Sequence, residues 1–272
     1  MPSSQPTGVT RPPSFWSTDM LNKVPQLTLL FWIIKIMATT VGETAADFLA
    51  VRVGLGAAVT MSIMVSILIV VLLLQLRSQR YVPWIYWLTV VLVSVVGTQI
   101  TDLLTDGLGV SLYVSTSVFA VVLAAIFAVW YWVEGTLSVH TIVTTKRELF
   151  YWAAILCTFA LGTASGDLAT EAIPLGFSLG VVVFGTMIAA ITAAYYYLGL
   201  NAILAFWLAY ILTRPLGASL GDLLSQSQQY GGLGLGTIIT SVIFLVIIAA
   251  GVTYLTIGPN GSSAQFKAAE TP

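Results

Sequence analysis

The sequence predicts an all-α integral membrane protein with eight transmembrane helices, arranged as four tandem helical-hairpin repeats in parallel orientation. Of the 272 residues, 58% are hydrophobic and only 8% are charged, and the mean hydropathy is +0.96. A soluble domain carries about 25% charged residues, so this composition excludes a water-solvated surface. Successive apolar runs also reach about 20 residues, the length that crosses a bilayer as a helix. A third observation is a sequence pattern that recurs in every second run.

Eight spans are predicted from the apolar runs. Several contain no charged residue, and the uncharged run 172–213 is long enough for two spans that turn near Gly199–Asn201. The predicted spans cover residues 25–46, 54–76, 82–104, 108–132, 149–170, 174–198, 200–222 and 234–257. Together they are expected to form a single membrane domain, residues 24–257.

Both ends of the chain are predicted to be tails outside the membrane. Residues 1–23 are rich in Pro, Ser and Thr, and they lack the basic segment followed directly by an apolar one that marks a signal peptide. Such a composition is typical of a disordered segment. Residues 258–272 form the second tail, and an even number of spans places both tails on one side of the membrane.

The charged residues identify that side as the cytoplasm. Only Arg52 falls in a loop on the opposite face, while Lys35 and Arg214 lie within spans. The basic residues on the face shared by the tails are Arg11, Lys23, Arg77, Arg80, Lys146, Arg147 and Lys267. Because cytoplasmic loops carry an excess of Lys and Arg, both termini are predicted to be cytoplasmic. The acids in or beyond the outer half are Glu43, Asp47, Asp102, Asp106, Asp167, Glu171 and Asp222.

The odd-numbered spans share one gapless pattern. Each has an aromatic-Trp pair, nine residues, Gly, four residues and Asp, as in FWIIKIMATTVGETAAD and YWLTVVLVSVVGTQITD. The repeated residues are Trp32, Trp87, Trp152 and Trp207, then Gly42, Gly97, Gly162 and Gly217, then Asp47, Asp102, Asp167 and Asp222. The first and second glycines are 55 residues apart, and so are the third and fourth. The pattern indicates four two-span repeats, at about 25–76, 82–132, 149–198 and 200–257.

This pattern resembles a family of bacterial polytopic membrane proteins built from four tandem repeats of unknown function, of the "uncharacterised membrane-anchored protein" type. In that family each repeat has two transmembrane segments and a characteristic tryptophan. The resemblance covers roughly residues 25–257, and the segment FW…TTVGET…D looks like a typical first repeat. It implies the eight-span architecture and a location in the bacterial inner membrane. It implies no activity.

Four aspartates at equivalent positions are the main candidates for a functional site. Because every repeat crosses the membrane twice, the repeats share one orientation and are related by an axis along the membrane normal. Asp47, Asp102, Asp167 and Asp222 are then expected at one depth, converging on that axis. Ionisable residues inside a membrane are functional candidates, and rings of carboxylates line cation pathways. Oxygen ligands without a nearby thiolate or imidazole suit a proton, an alkali ion or a hard divalent metal.

A structural role is the alternative for the aspartates. Sequences such as DLLT and DLLS also fit the N-cap of a short following helix, where the carboxylate would accept from backbone amides. Ser, Thr and Asn cap equally well, however, and all four repeats keep Asp. The other repeated residues are expected to pack helices: the glycines allow close approach, and Trp lies about 22 Å and roughly 60° from Asp along each helix.

Repeats one and four depart from the pattern by carrying additional charges. Glu43 precedes Asp47 by four residues and therefore shares its helix face. At the position of Glu43 the other repeats have Thr98, Thr163 and Ala218. Arg214, three residues before Gly217, could neutralise Asp222, or Glu43 if repeats one and four close a ring. Lys35, two turns before Glu43, is a second possible partner, and buried ion pairs of this kind serve either structure or coupled transport.

These residues favour a membrane protein that moves a small cation, or a solute coupled to one, through an acidic site between the odd-numbered helices. The expected site comprises the four aspartates and Glu43, tuned by Arg214 and Lys35, and no cofactor is expected. A membrane sensor or assembly scaffold without transport is the alternative. An intramembrane aspartyl-type hydrolase is less favoured, because the Gly-x-Gly-Asp form is absent and four copies of one Asp favour a ring over a two-residue dyad.

Other residue types exclude several classes of function. A net charge of −1, with no concentrated basic segment, excludes nucleic-acid binding as the main role. Cys157 is the one cysteine of the chain and lies in an apolar run, so it is expected to pack. His140 lies in a polar loop and is expected at the surface. The expected partners are the lipid bilayer and the small cation; the oligomeric state stays open.

Overall fold

The computed structural model describes residues 22–51, 56–172 and 175–257. In these ranges all regular structure is helical, and eight helices are long and apolar enough to cross a membrane, as predicted. They are α1 (Leu29–Val51), α2 (Ala57–Arg77), α3 (Pro83–Asp102), α4 (Leu112–Glu134), α5 (Thr145–Asp167), α6 (Gly176–Tyr197), α7 (Ala202–Ser225) and α8 (Thr237–Ile257). Arg11, Arg52 and Lys267, which contributed to the predicted orientation, lie outside the described residues.

Helix α1 begins and ends about four residues later than the first predicted span. Its start is set by Thr28, whose hydroxyl accepts a hydrogen bond from the Phe31 amide at 3.3 Å. A side-chain acceptor of this kind satisfies an amide that has no partner inside the first turn. The shift matters for the site, because it places Asp47 inside the helix and not at its end.

Helices α3 and α5 each continue into a π-helical turn directly after the repeat aspartate, whereas the described residues that follow Asp47 and Asp222 remain α-helical. The turns are Leu103–Gly107 and Leu168–Ala172, and each begins directly after a repeat aspartate, Asp102 or Asp167. Single π-helical turns are uncommon and often occur at functional sites. The four repeats therefore share a sequence pattern but differ in backbone geometry just beyond the aspartate.

The odd-numbered helices form the interior and the even-numbered helices cover it. In the most apolar part of each odd helix, 61–72% of residues are buried, against 11–17% in the even helices. Helix α1 packs against α3 and α7, and α5 also packs against α3 and α7, so the four odd helices form a closed ring. We call this the inner ring. The exposed, largely apolar surfaces of the even helices suit contact with lipid.

Each even-numbered helix packs mainly against the odd helix of the following repeat. Helix α2 packs on α3, α4 on α5 and α6 on α7, and α8 returns to pack on α1. By contrast, α1 and α2, the two helices of the first repeat, share only a small contact. The sequence repeat is therefore not the packing unit, and the last helix closes the structure on the first.

The repeat glycines are the points where neighbouring inner helices touch. Each glycine faces the residue three positions before the glycine of the next repeat, so that the fourth faces the first. The facing pairs are Gly42 with Ser94, Gly97 with Phe159, Gly162 with Arg214, and Gly217 with Thr39. A methyl group on any of these glycines would overlap its neighbour. The prediction that the glycines allow close helix approach is confirmed, and the contacts follow one cyclic rule.

Aromatic residues form a second closed set of contacts near the N-terminal ends of the inner helices. In every repeat the residue before the tryptophan packs on the tryptophan of the next repeat. The ring centroids are 5.5 Å apart for Phe31–Trp87 and Tyr86–Trp152, 6.3 Å for Tyr151–Trp207 and 5.8 Å for Phe206–Trp32. We call these eight residues the aromatic layer. Because the aromatic and glycine contacts both join equivalent positions, the four inner helices run in the same direction.

A buried ionic contact joins the start of the described chain to the helix ends near the aromatic layer. The Lys23 ammonium lies 2.7 Å from the Glu148 carboxylate at the start of α5, and it also donates to the Leu76 carbonyl at the end of α2. The Gln75 amide donates to the other carboxylate oxygen of Glu148 at 2.9 Å. Lys23, which the sequence assigned to the tail, is thus packed against the helices.

We expect Gly97→Ala to destabilise the protein by about 1–3 kcal/mol, the usual cost of overpacking. The added Cβ would lie 2.6 Å from the Phe159 Cβ and 3.3 Å from the Ala160 backbone nitrogen, so backbone must move. Thermal unfolding in detergent, followed by near-UV circular dichroism, measures the effect. The matched control is Gly185→Ala, where a Cβ meets no atom within 4 Å. Equal midpoints for the two variants would contradict the role of Gly97 in helix contact.

Candidate functional site

A buried arginine occupies the centre of the inner ring and contacts all four inner helices. Arg214, from α7, donates from Nη2 to the Glu43 carboxylate at 2.6 Å and to the Thr163 hydroxyl at 2.8 Å. The same nitrogen contacts the Thr98 hydroxyl, and Nη1 donates to the Thr39 carbonyl at 3.3 Å. Arg214 is 1% exposed and Glu43 is 6% exposed. We call this set of contacts the central cluster.

The repeat pattern explains why these side chains meet. Glu43, Thr98 and Thr163 are the residues directly after the first three repeat glycines, so equivalent positions point into the ring. The fourth equivalent, Ala218, is too small to fill the space. Arg214 extends from the same helix three residues before Gly217, and it lies against Gly162, which has no side chain to exclude it. The sequence offered Glu43 as one possible partner of Arg214, and this ion pair is formed.

Lys35 does not pair with Glu43, contrary to the expectation from sequence. Its ammonium lies 4.3 Å from the ring centres of both Phe159 and Tyr210, and it has no hydrogen-bond partner among the described residues. Eight residues of helix separate Lys35 from Glu43 by about 12 Å, which is too far for the side chain to span. Lys35 is 1% exposed, so aromatic faces replace water around the cation.

The four repeat aspartates lie beyond the central cluster, on the side away from the aromatic layer. All four are half-buried. Asp102 lies within electrostatic range of Glu43, Asp47 and Asp106, as well as of Arg214. This part of the interior, between α1 and α3, therefore collects four carboxyl groups.

For three of the four aspartates, the backbone geometry does not fit the capping alternative. Asp47 and Asp222 lie inside α1 and α7, so neither precedes a helix that it could cap. Asp102 is followed by the π-helical turn, but its side chain accepts no hydrogen bond from the amides of that turn. Its backbone is helical, whereas a capping residue has extended backbone angles.

The aspartates do not form one converging metal cage. Within residues 22–51, 56–172 and 175–257, no three or more His, Cys, Asp or Glu side chains are placed to hold a metal ion together. At the depth of the central cluster, the residues directly after the repeat glycines occupy the axis, and the convergence of all four aspartates at their own depth stays a prediction. The aspartates come four residues later, about 6 Å further along each helix.

Several functional contacts were not foreseen from the sequence. From the sequence, Thr98 and Thr163 were identified only as the equivalents of Glu43 in the second and third repeats, yet both are fully buried acceptors for Arg214. A threonine in an apolar helix only weakly indicates a functional site, because its hydroxyl can donate a hydrogen bond to a backbone carbonyl of the preceding turn. The hydroxyls of Thr98 and Thr163 also do this. Cys157 is buried and His140 is exposed, as predicted.

Comparison with known proteins gives a family but no activity. A family model described as Repeat of Unknown Function (DUF347) matches four segments, residues 30–81, 85–136, 150–200 and 205–257. These segments coincide with the four repeats and cover most of the chain. No curated protein and no solved structure matches the chain.

We expect Arg214→Gln to destabilise the protein by about 3–5 kcal/mol, because Glu43 would remain buried without its counter-charge. The double variant Glu43→Gln/Arg214→Gln should recover much of this loss, since neutral amides can still bond to the threonine hydroxyls. Chemical unfolding in detergent, followed by tryptophan fluorescence, measures both. Lys146→Gln, at an exposed surface ion pair, is the control and should leave the midpoint unchanged. A double variant no more stable than Arg214→Gln would show that the pair is not coupled.

Proposed function

We infer that this chain, which belongs to the DUF347 family of repeats of unknown function, moves a small cation, or a solute coupled to one, across the membrane. The route runs through the polar interior of the inner ring. The candidate cations are a proton, an alkali ion or a hard divalent metal. The observation that supports this function most directly is the central cluster, because an ion pair buried at mid-span is costly and is typical of ion pathways and coupled transport.

The contacts of Arg214 suggest how a cation could be coupled to movement. Arg214 has hydroxyl acceptors on Thr98 and Thr163 and a carbonyl acceptor on Thr39 besides Glu43. It could therefore keep three hydrogen bonds while a cation or proton replaces it at Glu43. Exchange of Glu43 between Arg214 and the transported cation is our proposed coupling step. The aspartates on the outer side would raise the local cation concentration.

The aromatic layer would act as the closed gate on the opposite side. Trp87, Trp152 and Trp207 are each less than 5% exposed, and their packing leaves the inner ring filled at this end. The central cluster would then face the aspartate side in this state. Transport requires a second state in which the aromatic contacts separate, as in alternating access.

A membrane scaffold or sensor is the second candidate function. The same closed aromatic contacts and the cyclic glycine contacts favour a rigid body, which a scaffold would use without opening. The two candidates differ in one measurable property, because only a transporter needs Glu43 for flux. An aspartyl-type hydrolase has no support beyond the sequence features.

We propose that the protein lies in the bacterial inner membrane with both termini in the cytoplasm. Lys23 contacts the end of α2 and the start of α5, at the end that carries the aromatic layer, and Arg77 and Arg80 lie at the same end. Lys146 and Arg147 lie at the same end and pair with Glu134. An excess of basic residues at one end favours the cytoplasmic side.

In proteoliposomes, we expect Glu43→Gln and Asp47→Asn to slow cation flux about tenfold or more, because each removes a carboxylate from the proposed route. Flux is followed with a pH-sensitive dye for protons and ion-sensitive dyes for Na⁺, K⁺ and Mn²⁺. Glu134→Gln is the matched control, since Glu134 pairs with Arg147 at the opposite end of the membrane. Absence of flux for every tested cation in the wild type, or equal flux in wild type and both variants, would overturn the transport proposal.

For the orientation, we expect Leu108→Cys to be labelled in spheroplasts by a membrane-impermeant thiol reagent, and Gln79→Cys only after lysis. Both variants are made in a Cys157→Ala background, and both positions are exposed in short connections at opposite ends of the helices. The prediction follows from the basic residues beside Gln79. Labelling in the reverse order would place the termini outside.

A further inference from the structure

We infer that a pocket beside the inner ring binds a hard divalent cation, such as Mg²⁺ or Mn²⁺, that keeps part of its water shell. The pocket lies between the first turn of α2 and the end of α3, where the π-helical turn begins. It has a volume of about 240 Å³, and Thr60, Gln99, Asp102 and Asp106 supply its polar groups. This inference deepens the proposed function, on which its role in transport rests, by naming a cation class and its place of binding.

The pocket is lined by two carboxylates, those of Asp102 and Asp106. Glu43 and Asp47 also lie within electrostatic range of Asp102, and Glu43 is paired with Arg214. The backbone dipoles at the start of α2 contribute about half a unit of positive charge. A bound divalent cation would neutralise Asp102 and Asp106.

Gln99 provides an independent indication of a ligand. It lines the pocket, is 7% exposed, and its amide oxygen has no hydrogen-bond partner among the described residues. A buried acceptor without a partner is destabilising, so such a group usually has a water or an ion beside it. The oxygen and nitrogen of the amide can exchange places by rotation. Because Gln99 lines the pocket, an amide oxygen turned towards it could accept a hydrogen bond from a metal-bound water.

The size and chemistry of the pocket favour a hydrated ion over a fully protein-bound one. A water molecule takes about 30 Å³, so the pocket holds an ion and several waters. Mg²⁺ usually keeps several waters and is held through one or two carboxylates. In the part of the chain that the structure describes, no set of three His, Cys, Asp or Glu side chains is placed to hold a metal. Two carboxylates also match the charge of a divalent cation.

The pocket and the central cluster share helix α3, where two consecutive residues contribute one to each. Gln99 lines the pocket, while Thr98, the residue before it, contacts Arg214. A cation that leaves the pocket towards the axis would therefore next meet Glu43. The π-helical turn that begins after Asp102 carries Asp106, so this local backbone geometry places the second carboxylate.

The test is binding of Mn²⁺ to the full-length protein in detergent, with free Mn²⁺ measured by electron paramagnetic resonance. We expect wild type to bind Mn²⁺, Asp102→Asn/Asp106→Asn to bind it about tenfold or more weakly, and Gln99→Leu to weaken binding without any change of charge. Mg²⁺ should compete with Mn²⁺, whereas Na⁺ at equal ionic strength should not. Glu134→Gln should bind like the wild type.

Unchanged Mn²⁺ affinity in the double variant would overturn the inference, and so would competition by Na⁺ as strong as by Mg²⁺. Size-exclusion elution and near-UV circular dichroism establish that each variant folds. If the double variant does not fold, the Mn²⁺ affinities of Asp106→Asn and Gln99→Leu decide the question. Binding is measured without transport, so the two proposals can fail separately. Weaker Mn²⁺ binding in the pocket variants, together with no flux in the wild type, supports the pocket and overturns the transport proposal. Flux that is slowed in Glu43→Gln, together with equal Mn²⁺ binding in all variants, supports the transport proposal and overturns the pocket.

Discussion

The close approach of neighbouring inner helices at the repeat glycines is the constraint on which the rest of the structure depends. Each glycine receives a residue of the next helix, and the fourth glycine receives Thr39 of the first helix. With no hydrophobic effect to drive helices together in lipid, such close packing is what holds them. It also sets the rotation of every inner helix. The residue after each glycine is consequently turned into the ring, and the preceding aromatic-Trp pairs meet at one level.

The middle of this ring is polar and charged. Arg214 and Glu43 neutralise each other, and threonine hydroxyls from two further helices accept from the same guanidinium. Lys35 adds a second buried cation that is surrounded by aromatic rings. Replacement of such groups by well-packed apolar residues is often neutral or stabilising, so stability alone does not account for them. The proposed role in moving charge would account for them.

The departures from fourfold equivalence are where the chemistry is concentrated. Glu43 and Arg214 occur in repeats one and four, whereas the π-helical turns occur in repeats two and three. A fully symmetric ring would place identical charges around one axis, where they would repel. The asymmetry instead places one acid beside one base at the centre and leaves the carboxylates of Asp102 and Asp106 in a pocket to the side.

The sequence by itself determined the membrane location of the helices, their number and the fourfold repeat, because hydropathy and spacing are local properties that survive any packing. It also determined which positions recur, and hence that the glycines would mediate helix contact. Only the tertiary structure decided that each even helix packs on the following repeat, that Arg214 and not Lys35 pairs with Glu43, and that the aspartates do not form a single cage. These outcomes depend on the rotation of each inner helix about its own axis. The glycine contacts set this rotation, and they join residues as far apart in the sequence as Thr39 and Gly217. No pattern within a single repeat contains that information.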